Sequence, residues 1–290
     1  MKKIICIALA LILALGLCAC GAAPSDNQDT GDAQNTGDRQ NAGDTQETGS
    51  EQTAADSDMA YIKEKGVLVV GITEFEPMDF QDAAGYWIGF DADMATAFAE
   101  SLGVDVEFQI IDWDNKVMEL NGKTIDVVWN GMTLTDEVKS AMETSNAYCN
   151  NAQVVVVPAE VADQYQDTDS IRELSFAVES GSAGKAEVEA LGAQFTEVAD
   201  QATALMEVAA GTSEAAVIDA LMAAAMVGEG TSYDGLTYTI GLNSEEYGVG
   251  FRKGSDLAAA LNDFFAASYA DGTMMAIAET YGVQAAIIAQ

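Results

Sequence analysis

The chain has 290 residues, with 12 basic against 47 acidic side chains, no histidine, and a formal net charge of −35. A surface so acidic cannot neutralise phosphates, which excludes nucleic acid as a partner. Without histidine and with few thiols there is no ordinary zinc site, so no metal or other cofactor is expected.

In chain order, Lys2 and Lys3 precede an apolar stretch over residues 4–17, the layout of a signal peptide occupying residues 1–19. That stretch is shorter than the roughly 20 apolar residues a spanning helix needs. It ends in Leu17-Cys18-Ala19-Cys20-Gly21, which resembles the bacterial lipobox. Cys20 is therefore expected to be the lipidated first residue of the mature protein, held at the outer face of a bacterial cell membrane. An ordinary cleaved signal peptide is the plainer reading. Cys6 and Cys18 leave with the leader, so Cys20 and Cys149 remain and no intramolecular disulfide is expected. Residues 20–58 carry almost no large apolar side chains, and glycines 31, 37, 43 and 49 stand in a hexapeptide-like repeat. Such a composition cannot bury enough surface to fold. About 38 residues of flexible coil would span roughly 35 Å r.m.s., enough to tether a domain above a membrane.

About 230 residues follow, sufficient for two lobes. The β-branched run 67–72 reads as a buried strand. Asp91 is assigned as the cap of a helix whose apolar face holds Met94, Ala95, Phe98 and Leu102, with Gly103 ending it. Strands are predicted at 104–111 and 125–129, with a short helix over 113–120 between them. After the valine run 154–157, strands are predicted at 176–178, near Phe195 and at 215–218. Helices are predicted at 183–191, 202–210 and 220–227, and two terminal helices at 257–269 and 273–281. Alternation of this kind implies an α/β architecture of parallel sheets covered by helices. Ligands in such folds sit beyond the carboxyl ends of the strands.

Several segments are similar to those of a known family. They are Gly66-Val67-Leu68-Val69-Val70-Gly71, Gly85-Tyr86-Trp87-Ile88-Gly89-Phe90-Asp91-Ala92-Asp93, the run 122–135 around Trp129-Asn130-Gly131-Met132-Thr133, Glu179-Ser180-Gly181-Ser182, the run 247–254 and Asp271-Gly272. In this order the chain resembles the family 3 extracytoplasmic solute-binding proteins, the amino-acid-type receptors of ABC importers, over nearly all of 65–283. The resemblance implies a two-lobed periplasmic-binding-protein-like fold of type II, with lobe 1 at 59–156, lobe 2 at 157–243, and a return to lobe 1 over 244–290. It implies a monomer that closes on one small solute about crossovers near Val157 and Ser244 and delivers it to an ABC permease, with no bond made or broken.

The same resemblance implies the site. Phe75 and Trp113 are matched to aromatics that sandwich the solute, although Trp113 also reads as a core residue. Asn130, Gly131 and Thr133 match a segment that binds amino and carboxylate groups, although Gly131 could mark a mere turn. Ser182 and Ala183 open a helix whose free N–H groups would receive a carboxylate, although Ser182 suits a simple N-cap equally well. Asp219 matches the aspartate that pairs with an ammonium, a solvated loop carboxylate being its plain alternative. Trp129 reads as core, and Cys149 as either a contact or a buried thiol.

One position departs from the family pattern. Thr135-Asp136-Glu137 is followed by Val138, where the family carries the arginine that clamps the α-carboxylate. Losing one partner of a buried charge pair costs about 2–5 kcal/mol. Lys139 is a poor substitute, since on a helix it points about 100° away. The departure favours a solute with an ammonium and no α-carboxylate. The other reading is that the Ser182 helix terminus and Thr133 hold a carboxylate unaided. Two further functions stay open: a cyclohexadienyl-dehydratase-like enzyme using a cleft carboxyl as general acid, and a receptor presenting its ligand to a membrane sensor.

Overall fold

The computed structural model describes residues 57–290. The expected signal peptide, the expected lipidation site Cys20 and the expected tether up to residue 56 lie outside the described residues. The tether as drawn from composition runs two residues too far. Ser57 accepts a hydrogen bond from the Ala60 amide and caps α1 (Asp58–Lys65), with Asp58 in the first turn and Lys63 and Lys65 in the last. What holds this helix is remote in sequence. The Arg252 Nη2 lies 2.9 Å from Asp58 Oδ1, and Asp256 accepts from Ser57 Oγ and the Met59 amide.

After α1 come β1 (Val67–Ile72), the small hairpin β2 (Phe80–Gln81) and β3 (Trp87–Ile88), α2 (Phe90–Leu102) and β4 (Asp105–Ile110). A 3₁₀ turn at Trp113–Asn115 leads into α3 (Lys116–Asn121), followed by β5 (Val127–Thr133), α4 (Asp136–Ala141), β6 (Glu143–Thr144) and β7 (Cys149–Asn151). The second set is β8 (Gln153–Pro158), β9 (Ser175–Glu179), α5 (Ala183–Leu191), β10 (Gln194–Val198), α6 (Gln201–Ala210), β11 (Ala215–Asp219), α7 (Ala220–Met226) and β12 (Leu236–Gly241). The chain then returns through β13 (Glu245–Phe251), α8 (Leu257–Asp271) and α9 (Thr273–Thr280). Among the described residues no helix is long and apolar enough to cross a membrane.

The two sheets run β4-β1-β5-β13-β6, with β7 on β13, and β10-β9-β11-β8-β12. They are mixed, which corrects the expectation of parallel sheets. β4, β1 and β5 are parallel, as are β10, β9 and β11, but β13 runs antiparallel to β5 and β8 antiparallel to β11 and β12. The physical reason is the route between lobes. The chain crosses strand to strand, from β7 to β8 and from β12 back to β13, and so short a link cannot serve as a helical crossover. β8 belongs to the second sheet, so the first crossing falls between Asn151 and Gln153, ahead of residue 157; the return falls between Gly241 and Glu245.

Asp91 is not a helix cap. Gly89 occupies that position, where any side chain would meet the Met78 carbonyl, and Asp91 sits in the first turn with its carboxylate in the core. It accepts hydrogen bonds from the Gly131 amide at 2.7 Å and from Tyr148 Oη at 2.7 Å, bracing α2 against β5. β5 runs on past residue 129 to Thr133, and Trp129 within it is a core residue against Phe98 and Phe265. Cys149 is also core. It is fully buried, burial holds its thiol well above the ordinary range, and it lies outside the cleft, so the contact reading is dropped.

Candidate solute cleft

The carboxyl ends of β1, β5, β9 and β11 converge on one cavity of about 570 Å³. Phe75, Trp113, Asn130, Gly131, Thr133, Val138, Ser182, Ala183 and Asp219 all line it. What each can do depends on the partners its side chain already has.

Phe75 is buried edge-on to Tyr247, with ring centroids 6.3 Å apart. Gly131 permits this. Its φ is 53°, and a Cβ there would lie 2.3 Å from Phe75 Cε1, so the glycine is required by the close approach. Asn130 has no side-chain donor to offer a ligand. Its Oδ1 accepts from the Thr73 amide and hydroxyl, and its Nδ2 donates to the Thr73 carbonyl and to Asp79 Oδ2. It positions backbone. Thr133 Oγ1 likewise donates to Glu245 Oε1 at 2.9 Å, toward the crossovers.

Ser182 is an N-cap, its Oγ accepting from the Lys185 amide at 3.1 Å, with Ala183 as the first helical residue. Trp113 is 7% exposed and shares an apolar wall with Val117, Met132, Val138 and Ala141, all of which face the cavity. At Val138, where the resemblance implies a guanidinium, this chain places part of a hydrophobic surface.

Asp219 ends β11 and is 4% exposed, so it is no solvated loop carboxylate. Its Oδ1 accepts from Asn151 Nδ2, from Gln153 Nε2 and from Tyr247 Oη at 2.7 Å, while Oδ2 accepts from Gln201 Nε2. These donors come from both lobes and both crossover strands. Burial pushes its pKa up to about 7, Glu245 adds to the rise, and the hydrogen bonds oppose it.

Two further residues of the cleft were not singled out from sequence. Glu179, at the end of β9, lines the cavity, and burial with the nearby Asp219 and Asp200 pushes it up to about 8. Its place at the carboxyl end of a strand was the available signal. Lys116 stands 4.8 Å from the Trp113 ring centroid and donates to the Trp113 carbonyl at 3.1 Å and the Gly181 carbonyl at 3.0 Å, joining the lobes. Gly181 meets Asp114 there, a Cβ on it falling 2.7 Å from Asp114 Cα. Nothing in the spacing around Lys116 marks such a bridge.

The raised carboxyls make a pH prediction. Asp91, Asp219 and Glu179 are lifted to about 7, 7 and 8 from ordinary values of 3.8, 3.8 and 4.5. The folded state thus binds their protons more tightly than the unfolded state does. Their stabilising contribution is complete below about pH 4 and is lost as pH rises through 7 to 8. Calorimetric melting of the solute-free protein should give a higher Tm at pH 5 than at pH 9; a Tm that rises across this range would contradict the assignment.

The model of the bacterial extracellular solute-binding proteins, family 3, matches residues 68–284. The chain belongs to this family. The L-cystine-binding protein TcyJ of Escherichia coli K12 is 29% identical over 225 residues, covering 76% of this chain and 84% of that protein. The crystal structure of an ABC uptake transporter substrate binding protein from Streptococcus pneumoniae with bound histidine superposes with a TM-score of 0.72 at 29% identity, covering 80% and 99% of the two chains. A cyclohexadienyl dehydratase of Pseudomonas aeruginosa aligns over a shorter stretch, 26% identical over 119 residues, 41% of this chain and 44% of that one. As a family 3 solute-binding protein, the chain has the type II fold, and its cleft between the two sheets is where a solute is to be sought.

Proposed function

We propose that the protein is the lipid-anchored receptor of an ABC importer, capturing a small amine-type solute by lobe closure and handing it to a membrane permease. The observation that carries this reading is the pairing, within one cavity, of a buried acid with an apolar surface at the clamp position: Asp219 faces a wall that includes Val138. The family relatives support a receptor. The missing guanidinium separates this solute from a free α-amino acid, because bidentate carboxylate binding has no close substitute. Phe75 and Trp113 flank the solute, the backbone at Asn130 and Gly131 and the α5 terminus at Ser182 and Ala183 supply polar contacts, and Thr133 passes the closure to the crossovers through Glu245. Cys20 holds the receptor at the membrane; palmitate labelling of the intact protein that survives Cys20→Ser would remove that part.

Calorimetric titration of the mature protein with amines and with standard amino acids tests the solute class. Amines should bind, and micromolar or tighter binding of a standard amino acid would defeat the amine reading. Val138→Arg should restore at least a tenfold gain for α-amino acids, equivalent to about 1.4 kcal/mol, at some cost in packing against Trp113 and Met132.

A second reading has one observation in its favour. Glu179, with its pKa raised to about 8, is protonated near neutrality and could act as a general acid in a dehydratase. Turnover of prephenate or arogenate would establish it; none is expected, since Glu179 has an alternative use.

A further inference from the structure

Glu179 and Asp219 end neighbouring parallel strands, β9 and β11, and both open into the cleft. Gln201, at the start of α6, bridges them, donating to Asp219 Oδ2 while its side chain also holds Glu179. The two acids are provided for unequally. Asp219 receives donors on both oxygens. Glu179 is 3% exposed, yet its Oε1 has no hydrogen-bond partner among the described residues. A buried carboxyl oxygen without a donor is costly. The Lys116 ammonium does not supply one; it donates to the carbonyls of Trp113 and Gly181.

Resting on the receptor reading above, we propose that Glu179 is a second ligand-contacting carboxyl that forms, with Asp219, a paired-acid subsite for the ammonium end of a net-cationic solute, and that capture expels a proton from this pair. Two carboxyl groups on adjacent strand ends are not both ionised cheaply in a buried setting. Glu179 is faced by Asp219, by Asp200 ahead of α6, by Gln201 and by Lys116 from α3. Asp219 is faced by Glu245 and Tyr247 from β13, Gln153 from β8 and Gln201. Burial leaves the pair holding a proton near neutral pH. A solute that arrives already protonated donates its N–H groups to both acids, and the displaced proton passes to the buffer. A zwitterion brings a carboxylate into the same acidic cavity with the Val138 position unable to pair it. The solute class is therefore a primary amine or diamine carrying net positive charge, and affinity rises with pH through about 7 to 8.

The experiment is calorimetric titration of the mature protein at pH 7.5 with 1,4-diaminobutane, agmatine, cystine, histidine and arginine. Each is run in phosphate and in Tris, whose different ionisation heats report proton release. The expected result is binding of the cationic amines with release of roughly half to one proton. Glu179→Gln is expected to weaken that binding at least tenfold and to abolish the release, and Glu179→Asp to recover part of both. Melting curves of the variants verify folding. Amine affinity and proton release unchanged in Glu179→Gln overturn the subsite. Binding of amino acids and not of amines also overturns it while leaving the receptor reading intact. If none of the five binds, the subsite is overturned, and mass spectrometry of solute released from the purified protein by denaturation then judges the receptor reading separately.

Discussion

Asp219→Asn is expected to lower solute affinity by about 30-fold to several thousand-fold, the consequence of removing one member of a buried charge pair worth about 2–5 kcal/mol. The substitution preserves shape and removes charge, but its larger effect comes from the donors already aimed at the carboxylate. Asn151, Gln153, Gln201 and Tyr247 all donate to Asp219. The new amide nitrogen would point one donor at others, and a buried donor without an acceptor is itself destabilising by about 1–3 kcal/mol. Asn151 and Tyr247 lie in β7 and β13, the crossover strands on the lobe 1 side, and Gln153 opens β8 on the lobe 2 side. The variant should therefore lose affinity and also loosen the connection between lobes. Calorimetry checks the first effect and the melting temperature the second. An Asp219→Asn protein that keeps the wild-type affinity would remove Asp219 from the site.

Arg252→Met should reduce the unfolding free energy by about 3–5 kcal/mol, the range for stripping one partner from a buried ion pair. The Arg252 side chain is 11% exposed. Its Nε donates to both Asp58 oxygens, its Nη1 donates to the carbonyls of Leu120 and Ile125, and Nη2 stands 3.6 Å from Asp126 Oδ1. The Nη2 contact with Asp58 at 2.9 Å is an ion pair outside hydrogen-bond alignment, so its attraction is mainly Coulombic. Methionine would fill the volume but leave Asp58 without its cation and two carbonyls without donors. Asp126 would keep Lys65, at 2.5 Å. Denaturant titration gives the number; a loss below about 1 kcal/mol would show that solvent already screens the pair. Solute affinity should stay within about twofold, since Arg252 does not line the cleft.

Much of this was legible in the residue order. The valine and isoleucine runs gave buried strands, and Gly103 ended its helix in the left-handed conformation, as a glycine there should. The cleft residues came together because they stand at strand ends or helix starts, where one edge of an α/β sheet collects them. What was not legible depends on contacts distant in sequence. The rule that made Asp91 a cap is local, and it yields to Gly131 and Tyr148, which need an acceptor in the core. Ser57 and Asp58 looked like more tether because the support of Asp58, Arg252, lies 194 residues away. β12 and β13 were missed because they form by pairing with strands distant in sequence, β12 with β8 and β13 with β5, and glycines with paired glutamates interrupt the alternation of β13. Asn130 and Thr133 were chosen for their polar side chains, and it was those side chains that the scaffold had already engaged. Glu179 shows the converse, a group whose lack of a partner becomes visible only in three dimensions.

The clasp of Arg252 and Asp256 on α1 has a mechanical consequence. A load applied at residue 57 enters the lobe carrying α8 and α9, through Arg252 and Asp256. The other lobe is reached through the two crossovers, with the Lys116–Gly181 hydrogen bond as a further link. The angle between the lobes is set at the crossovers and at the Lys116 bridge, away from where such a load enters.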